Sequence, residues 1–357
     1  MSIDIQPNLV WIIPALITVT LGIVSIMGFF GGNKMPVEGK VNLIAFEPPT
    51  ILITGASEGL GLSAAQQLSS KGANIVLVSR STEKLQAALP LVKAAAKDPS
   101  TQRFHHIAAD VSAPSYAVSL LAEVKAWNGG KAPDIVWCVA GTSTPDLFVD
   151  MDMASLRHQM DVNFYGTAEM SHAILREWLA PDAPVEQEAK HLIMTASVLA
   201  LYTIPGYAPY SPSKWAMRGL ADTISQEVMM YPQNVKVHVV FPGTILSPGY
   251  AREILTTPEI TTILEAGDPQ QTPDEVAAAA IKGLERGEYF ITVAFLGSLM
   301  KWGVMGGSFR NNWIVDTVMS WIVSLIWIFV QPDLHGKIRK YGKTHGHPSM
   351  TKQQRAA

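Results

Sequence analysis

Cys138 is the one cysteine in a chain of 357 residues, so an intrachain disulfide and a cysteine-cluster metal site are both excluded. That count fits a reducing compartment, and no metal site is expected. Charge is scarce too: Asp, Glu, Lys and Arg make up 16% of the residues, against about 25% in ordinary globular domains. What charge there is nearly cancels, 27 Lys and Arg against 30 Asp and Glu for a net −3. No concentrated basic field is left to hold a nucleic acid, and no nucleic-acid partner is expected. No internal repeat or low-complexity tract is visible. The length suits one large α/β domain with appendages, and 48% hydrophobic residues imply segments more apolar than a soluble core requires.

The longest gap in charge comes first. From Ile5 to Asn33 there is no Asp, Glu, Lys, Arg or His, and residues 9–30 are almost wholly apolar. Twenty-two helical residues span roughly 33 Å, enough for a bilayer core of about 30 Å. A cleaved signal peptide would want a basic start and a small-residue cleavage site, whereas the one early charge is Asp4 and the run ends Phe29-Phe30-Gly31-Gly32. Residues 1–40 are therefore expected to be a transmembrane anchor with its flank. Lys34 and Lys40 follow the span, although Glu38 dilutes them, and no Lys or Arg precedes it; this places the next domain on the cytoplasmic side. A second apolar region, 294–331, holds the runs 294–300 and 313–330, broken by Lys301, Arg310 and Asp316. At eighteen residues the later run is short for a span, so a crossing, a re-entrant hairpin and an interfacial segment all stay open. The tail, 332–357, is basic through Lys337, Arg339, Lys340 and Lys343, which suits anionic headgroups or plain solvent.

Between these flanks, residues 41–293 alternate short β-branched runs with helical patterns. Strands are predicted at 50–54, 74–79, 104–109, 134–139, 191–196, 235–241 and 289–293, and helices at 60–71, 82–97, 156–179, 213–230 and 273–286. Such alternation predicts an α/β fold, a doubly wound parallel sheet of Rossmann type with ligands beyond the carboxyl ends of its strands.

The first strand runs into Thr54-Gly55-Ala56-Ser57-Glu58-Gly59-Leu60-Gly61. Glycines between strand and helix let a phosphate approach the backbone, and the helix start offers unpaired N–H groups and a positive dipole end. Gly55, Ser57, Glu58, Gly59 and Gly61 are thus expected to hold a dinucleotide diphosphate. The second strand ends in Ser79-Arg80 with no acid to accept from a ribose 2′-hydroxyl. Arg80 can grip a 2′-phosphate in bidentate fashion, with Lys84 one turn on, so NADPH is expected over NADH.

The pattern TGASxGLG in this setting resembles the short-chain dehydrogenase/reductase family over residues 49–293. The resemblance implies that Asp110-Val111 contacts adenine, though Asp110 also reads as a helix N-cap. Glu58 departs from the Lys or Arg that many NADPH-using members carry, and Cys138-Val139-Ala140-Gly141 departs from the family's Asn-Asn-Ala-Gly or Asn-Cys-Ala-Gly.

Ketone reduction needs a polarised carbonyl oxygen and a proton delivered to it. Tyr210-Ser211-Pro212-Ser213-Lys214 puts a phenol and an ammonium four residues apart, on one face of a helix start. A nearby cation favours the phenolate, so Lys214 is expected to lower Tyr210 from its ordinary value of about 10. Ser197, just beyond the fifth strand, can hydrogen-bond the substrate oxygen. Asn163 falls where relatives hold a water that passes protons onward from the lysine. The set Asn163, Ser197, Tyr210 and Lys214, in family order, predicts catalysis, with Tyr210 and Lys214 also on the nicotinamide ribose. Phe241-Pro242-Gly243-Thr244 resembles the family's nicotinamide-bordering loop, and 245–268 reads as a lid.

Apolar segments at both ends suit a ketone dissolved in the membrane. The anchor, the glycine loop, Ser247-Pro248-Gly249-Tyr250 and the apolar C-terminal pair together resemble the 3-ketodihydrosphingosine reductases, especially fungal ones. This implies reduction of 3-dehydrosphinganine to sphinganine with NADPH at the endoplasmic reticulum membrane, the catalytic domain facing the cytoplasm. A membrane-bound hydroxysteroid or retinol dehydrogenase, and a non-catalytic nucleotide-binding scaffold, remain alternatives. A homo-oligomer is left open.

Overall fold

A computed structural model describes residues 48–347; the anchor expected within 1–40 lies outside the described residues. In chain order the elements are β1 (Thr50–Thr54), α1 (Gly59–Ser70), β2 (Asn74–Ser79), α2 (Thr82–Ala94), β3 (Phe104–Ala108), α3 (Tyr116–Trp127), β4 (Ile135–Cys138), α4 (Met153–Met160), α5 (Gly166–Trp178), β5 (Lys190–Thr195), α6 (Ser211–Glu227) and β6 (Val235–Phe241). Then come β7 (Thr244–Ile245), α7 (Pro248–Glu253), α8 (Glu259–Glu265), β8 (Gln270–Gln271), α9 (Pro273–Glu285), β9 (Phe290–Thr292), α10 (Phe295–Gly303) and α11 (Trp313–His345).

Seven strands form one sheet in the order β3-β2-β1-β4-β5-β6-β9, every pairing parallel. The doubly wound sheet read from the sequence is thus present. Alternate side chains feed two cores, as the two-residue period of a strand requires. Ile51, Ile53, Ile75, Leu77 and Trp137 meet α1, α2 and α9, while Leu52, Val76, Val136, Leu192 and Met194 meet α3, α5 and α6. From β1 the chain winds outward to β3, then returns to β4 and winds the other way. The crevice between β1 and β4 is therefore the topological switch point where such sheets take ligands.

Two buried groups give the sheet measurable signatures. Trp137 is 0% exposed, and its indole N–H donates to Thr195 Oγ1 at 3.0 Å. Trp137→Ala should destabilise by about 3–5 kcal/mol through the cavity it leaves, read as a fall in the thermal unfolding midpoint. On β5 and β6, His191 Nδ1 meets His238 Nε2 at 3.0 Å, and His238 Nδ1 meets the Glu288 carbonyl at 2.7 Å. A carbonyl only accepts, so neutral His238 carries its proton on Nδ1 and accepts from His191. Burial lowers His238 from 6.5 to about 4. The unfolded chain binds that proton first as pH falls, so stability should be full above pH 6.5 and decline towards pH 4. The loss reaches about 3 kcal/mol for this histidine, and denaturant midpoints that stay level across that window would contradict it.

The helix predicted over 156–179 is interrupted: α4 ends at Met160, a single π-turn covers Asp161–Tyr165, and α5 follows. Gly166 packs so closely on Val111 that a Cβ there would lie 2.8 Å from the Val111 carbonyl oxygen. The wider turn leaves Asn163 fully buried, and such turns recur at functional sites. Asp110 is not the N-cap of α3, which begins only at Tyr116; its carboxylate instead accepts from Ser112 N at 3.0 Å and Ser112 Oγ at 2.8 Å.

At the C-terminal end, the charges that break the apolar runs find partners. Lys301 and Asp316, both buried, pair at 3.6 Å, and the Trp302 indole donates to Asp316 at 2.7 Å. α11 does not stop at the end of the apolar run but continues through Pro332 to His345, 33 residues in all. By length and composition it could cross a membrane. Trp321, Leu325, Ile328 and Phe329 stand exposed on it, Phe329 at 77%.

Candidate active site

The crevice opens into a cavity of about 740 Å³ reaching from the glycine loop past Ser197 and Tyr210 to the inner face of α11. Its first wall is the loop after β1. Gly55 has φ +69, and a Cβ on it would come within 2.8 Å of the Ala140 backbone. A Cβ on Gly61 would collide with the Gly55 carbonyl. These two glycines let the loop fold flat against β4 and leave the start of α1 open, a cradle that fits a diphosphate. Thr54 Oγ1 accepts from Val139 N at 3.1 Å and Ala140 N at 3.2 Å. The Thr54 hydroxyl thus pins the end of β4, where Cys138-Val139 bring no polar side chain.

Ser57 and Ser79 share a hydrogen bond of 2.8 Å, tying the loop to the end of β2 beside Arg80. Arg80, Asp110 and Val111 all line the cavity. Burial raises the Asp110 carboxyl, but the bonds from Ser112 and the nearby Arg80 charge hold it below its ordinary value. Glu58 is pinned from two sides, by Lys84 Nζ at 2.6 Å and by Arg252 at 2.7 Å. Burial alone would raise its carboxyl, and the two ion pairs bring it below the ordinary value instead. Lys84 does not line the cavity; its ammonium rests on Glu58.

At the chemical end, Tyr210 immediately precedes α6 and Lys214 lies in its first turn. Lys214 is 3% exposed, its Nζ donating to the Thr195 carbonyl at 3.0 Å and lying 5.5 Å from the centre of the Tyr210 ring. Ser197 follows β5 and accepts from Leu199 N at 3.1 Å, which leaves its O–H to donate. Asn163 is fully engaged: Oδ1 accepts from Thr142 N at 2.8 Å, while Nδ2 donates to Thr142 O at 3.0 Å and Ser213 Oγ at 3.1 Å. It ties the loop after β4 to the start of α6, behind the cavity wall.

The lowered phenol expected from the spacing is not what the geometry gives. Burial pushes Tyr210 up, the Glu253 carboxylate adds to that, and a hydrogen bond with Ser197 offsets part of it. Burial also lowers Lys214, to about 8. For both groups desolvation is the largest cause of the shift. A phenol so placed stays protonated at neutral pH.

Three features of the site were not read from the sequence. Tyr207 lies beside Tyr210, ring centres 6.0 Å apart and planes tilted by 56°, and donates to Glu253 at 2.8 Å. Arg252 and Glu253 lie on α7, within the segment expected to be a lid. The third is α11, whose Val323, Ile326, Trp327, Val330 and Leu334 line the cavity; their spacing of three and four marks one helix face. Trp327 packs on Tyr202 with ring centres 4.8 Å apart.

The family model for short chain dehydrogenases matches residues 49–256. The 3-ketodihydrosphingosine reductase gsl-3 of Neurospora crassa is 56% identical, over 95% of this chain and 92% of that protein. The 3-ketodihydrosphingosine reductase ksrA of Aspergillus fumigatus is 45% identical, over 91% of each. Among solved structures, a short-chain dehydrogenase from Sphingobium yanoikuyae in complex with NADPH aligns with a TM-score of 0.59 at 19% identity, covering 74% of this chain and 98% of that one. That last likeness speaks for the fold.

Proposed function

The chain belongs to the short-chain dehydrogenase family, and from that premise we propose that it reduces a long-chain 3-keto sphingoid base, 3-dehydrosphinganine, to sphinganine with NADPH in sphingolipid biosynthesis. One observation carries the reading: a single cavity joins Ser197, Tyr210 and Lys214 to an apolar helix face. A polar head can react at one end while an alkyl chain lies along Val323, Ile326 and Val330 at the other. The names of the fungal relatives support the same substrate.

The loop residues Gly55, Ser57, Gly59 and Gly61, with the start of α1, hold the diphosphate. Arg80 takes the 2′-phosphate, Asp110 and Val111 border the adenine, and Tyr210 and Lys214 face the nicotinamide ribose. When bound, the reduced nicotinamide supplies the hydride. Ser197 donates a hydrogen bond to the carbonyl oxygen, and Tyr210 gives it a proton. Lys214, cationic below about 8, stabilises the phenolate left behind. Asn163 positions, since its amide is already taken up by Thr142 and Ser213.

α11 is proposed to lie in the plane of the membrane. Its inner face lines the cavity from Val323 to Leu334, and Tyr341 near its far end donates to Glu259 on α8 at 3.3 Å. A helix lying against the domain over that length does not lead away from it across a bilayer. Its outer face, with Trp321 and Phe329, then sits in lipid, while Lys337, Arg339, Lys340 and Lys343 reach anionic headgroups. The membrane is that of the endoplasmic reticulum, the catalytic domain on the cytoplasmic side. The test is turnover by the full chain in lipid nanodiscs, with NADPH and a panel of 3-ketosphingoid bases, steroid ketones and retinal. Turnover of the 3-keto bases is expected. Turnover confined to steroids or retinal would replace the substrate class, and none at all would favour the scaffold.

A further inference from the structure

The reaction as described gives Glu253 nothing to do, although this carboxylate lines the same cavity as Tyr210. It ends α7 and is held by the Tyr207 hydroxyl, which donates to its Oε1 at 2.8 Å. Its neighbour Arg252 turns away, to Glu58 at 2.7 Å. Among the described residues no Lys, Arg or His forms an ion pair with Glu253. Burial raises its carboxyl. Glu265, also in the wall, is raised to about 7 by burial, with a Tyr207 hydrogen bond offsetting part of this and the charges of Glu253 and Asp268 adding to it.

This placement works against the chemistry. A carboxylate close enough to raise the Tyr210 phenol opposes the phenolate that forms when the proton leaves. A positive charge held between the two would cancel the opposition, and among the described residues none pairs with Glu253. The proposed substrate brings one, because a 3-keto sphingoid base carries its amine on the carbon next to the ketone. With the carbonyl oxygen at Ser197 and Tyr210, the ammonium nitrogen lies two bonds from the carbonyl carbon.

Resting on the reductase reading, we infer that Glu253, held in place by Tyr207, receives the substrate ammonium and selects amino ketones over plain ketones of the same chain length. Tyr207 is a positioning residue, and Glu253 determines specificity. Glu265, which also hydrogen-bonds Tyr207, deepens the negative field.

The test compares kcat/KM of the full chain in nanodiscs for 3-dehydrosphinganine and for its 2-deamino counterpart, which keeps the 1-hydroxyl, the 3-ketone and the chain. Wild type should favour the amino ketone. Glu253→Gln should reduce that preference on the order of 10–100-fold, mostly through KM, as loss of a buried charged contact does. Glu253→Asp should keep part of the preference, and Tyr207→Phe should lose less than Glu253→Gln. NADPH binding, followed by cofactor fluorescence, reports whether each variant is folded. Equal losses on both ketones, or an unchanged ratio, would overturn the assignment. If wild type reduced the deamino ketone but not the amino ketone, Glu253 would again have no such role. If it reduced neither, the reductase reading would fall first and this inference with it.

Discussion

Tyr210→Phe should lower kcat for ketone reduction by about 1,000-fold, within the range a positioned general acid contributes, and leave NADPH binding within a few-fold of wild type. Phenylalanine fills the same space beside Tyr207 and under Lys214, so neither the packing of α6 nor the glycine cradle is disturbed. What disappears is one O–H, the donor that burial keeps protonated. Ser197 can still polarise the carbonyl, which is why a residual rate is expected rather than zero. The effect should fall on kcat far more than on KM, because proton delivery is needed in the transition state rather than in the bound ketone. Stopped-flow turnover beside cofactor fluorescence separates the two. Retained turnover would mean that the proton comes from elsewhere.

Arg80→Asp should cost NADPH about 100-fold in affinity, since one change removes a bidentate cation and opposes a phosphate with a like charge. NADH, with a hydroxyl at that position, should lose far less, and the preference should swing towards it. Arg80 lines the cavity at the end of β2, whereas Lys84 is held on Glu58. Lys84→Ala should therefore act more weakly, chiefly by loosening Glu58. Equal losses for both cofactors in Arg80→Asp would show that the guanidinium does not meet the 2′-phosphate.

The sheet was readable because most of its strands are buried on both faces and so appear as largely apolar runs; the Thr50–Thr54 and Asn74–Ser79 strands fall where the runs do, as does Val235–Phe241 despite Lys236 and His238. Tyr210 and Lys214 were readable because four residues make one helical turn. The sign of the phenol shift was not, because it depends on burial by walls supplied from afar and on the Glu253 carboxylate of α7. The π-turn around Asn163 was likewise hidden; it leads into Gly166, which packs on Val111, more than fifty residues away in sequence. In α11 the run is apolar on every side, so nothing in its pattern says which stripe faces protein. Only the packed helix distinguishes the Val323 and Trp327 face from the Phe329 face. Lys301 and Asp316 likewise read as interruptions until α10 and α11 bring them together.

The central claim is that a loaded phenol, a serine hydroxyl and a dinucleotide cradle share one cavity in order to reduce a lipid ketone. Mixing the full chain in nanodiscs with one equivalent each of NADPH and 3-dehydrosphinganine tests it most directly, with cofactor absorbance and product mass followed together. One sphinganine should appear for each NADPH consumed. NADPH bound yet left intact, with the ketone recovered unchanged, would contradict the account.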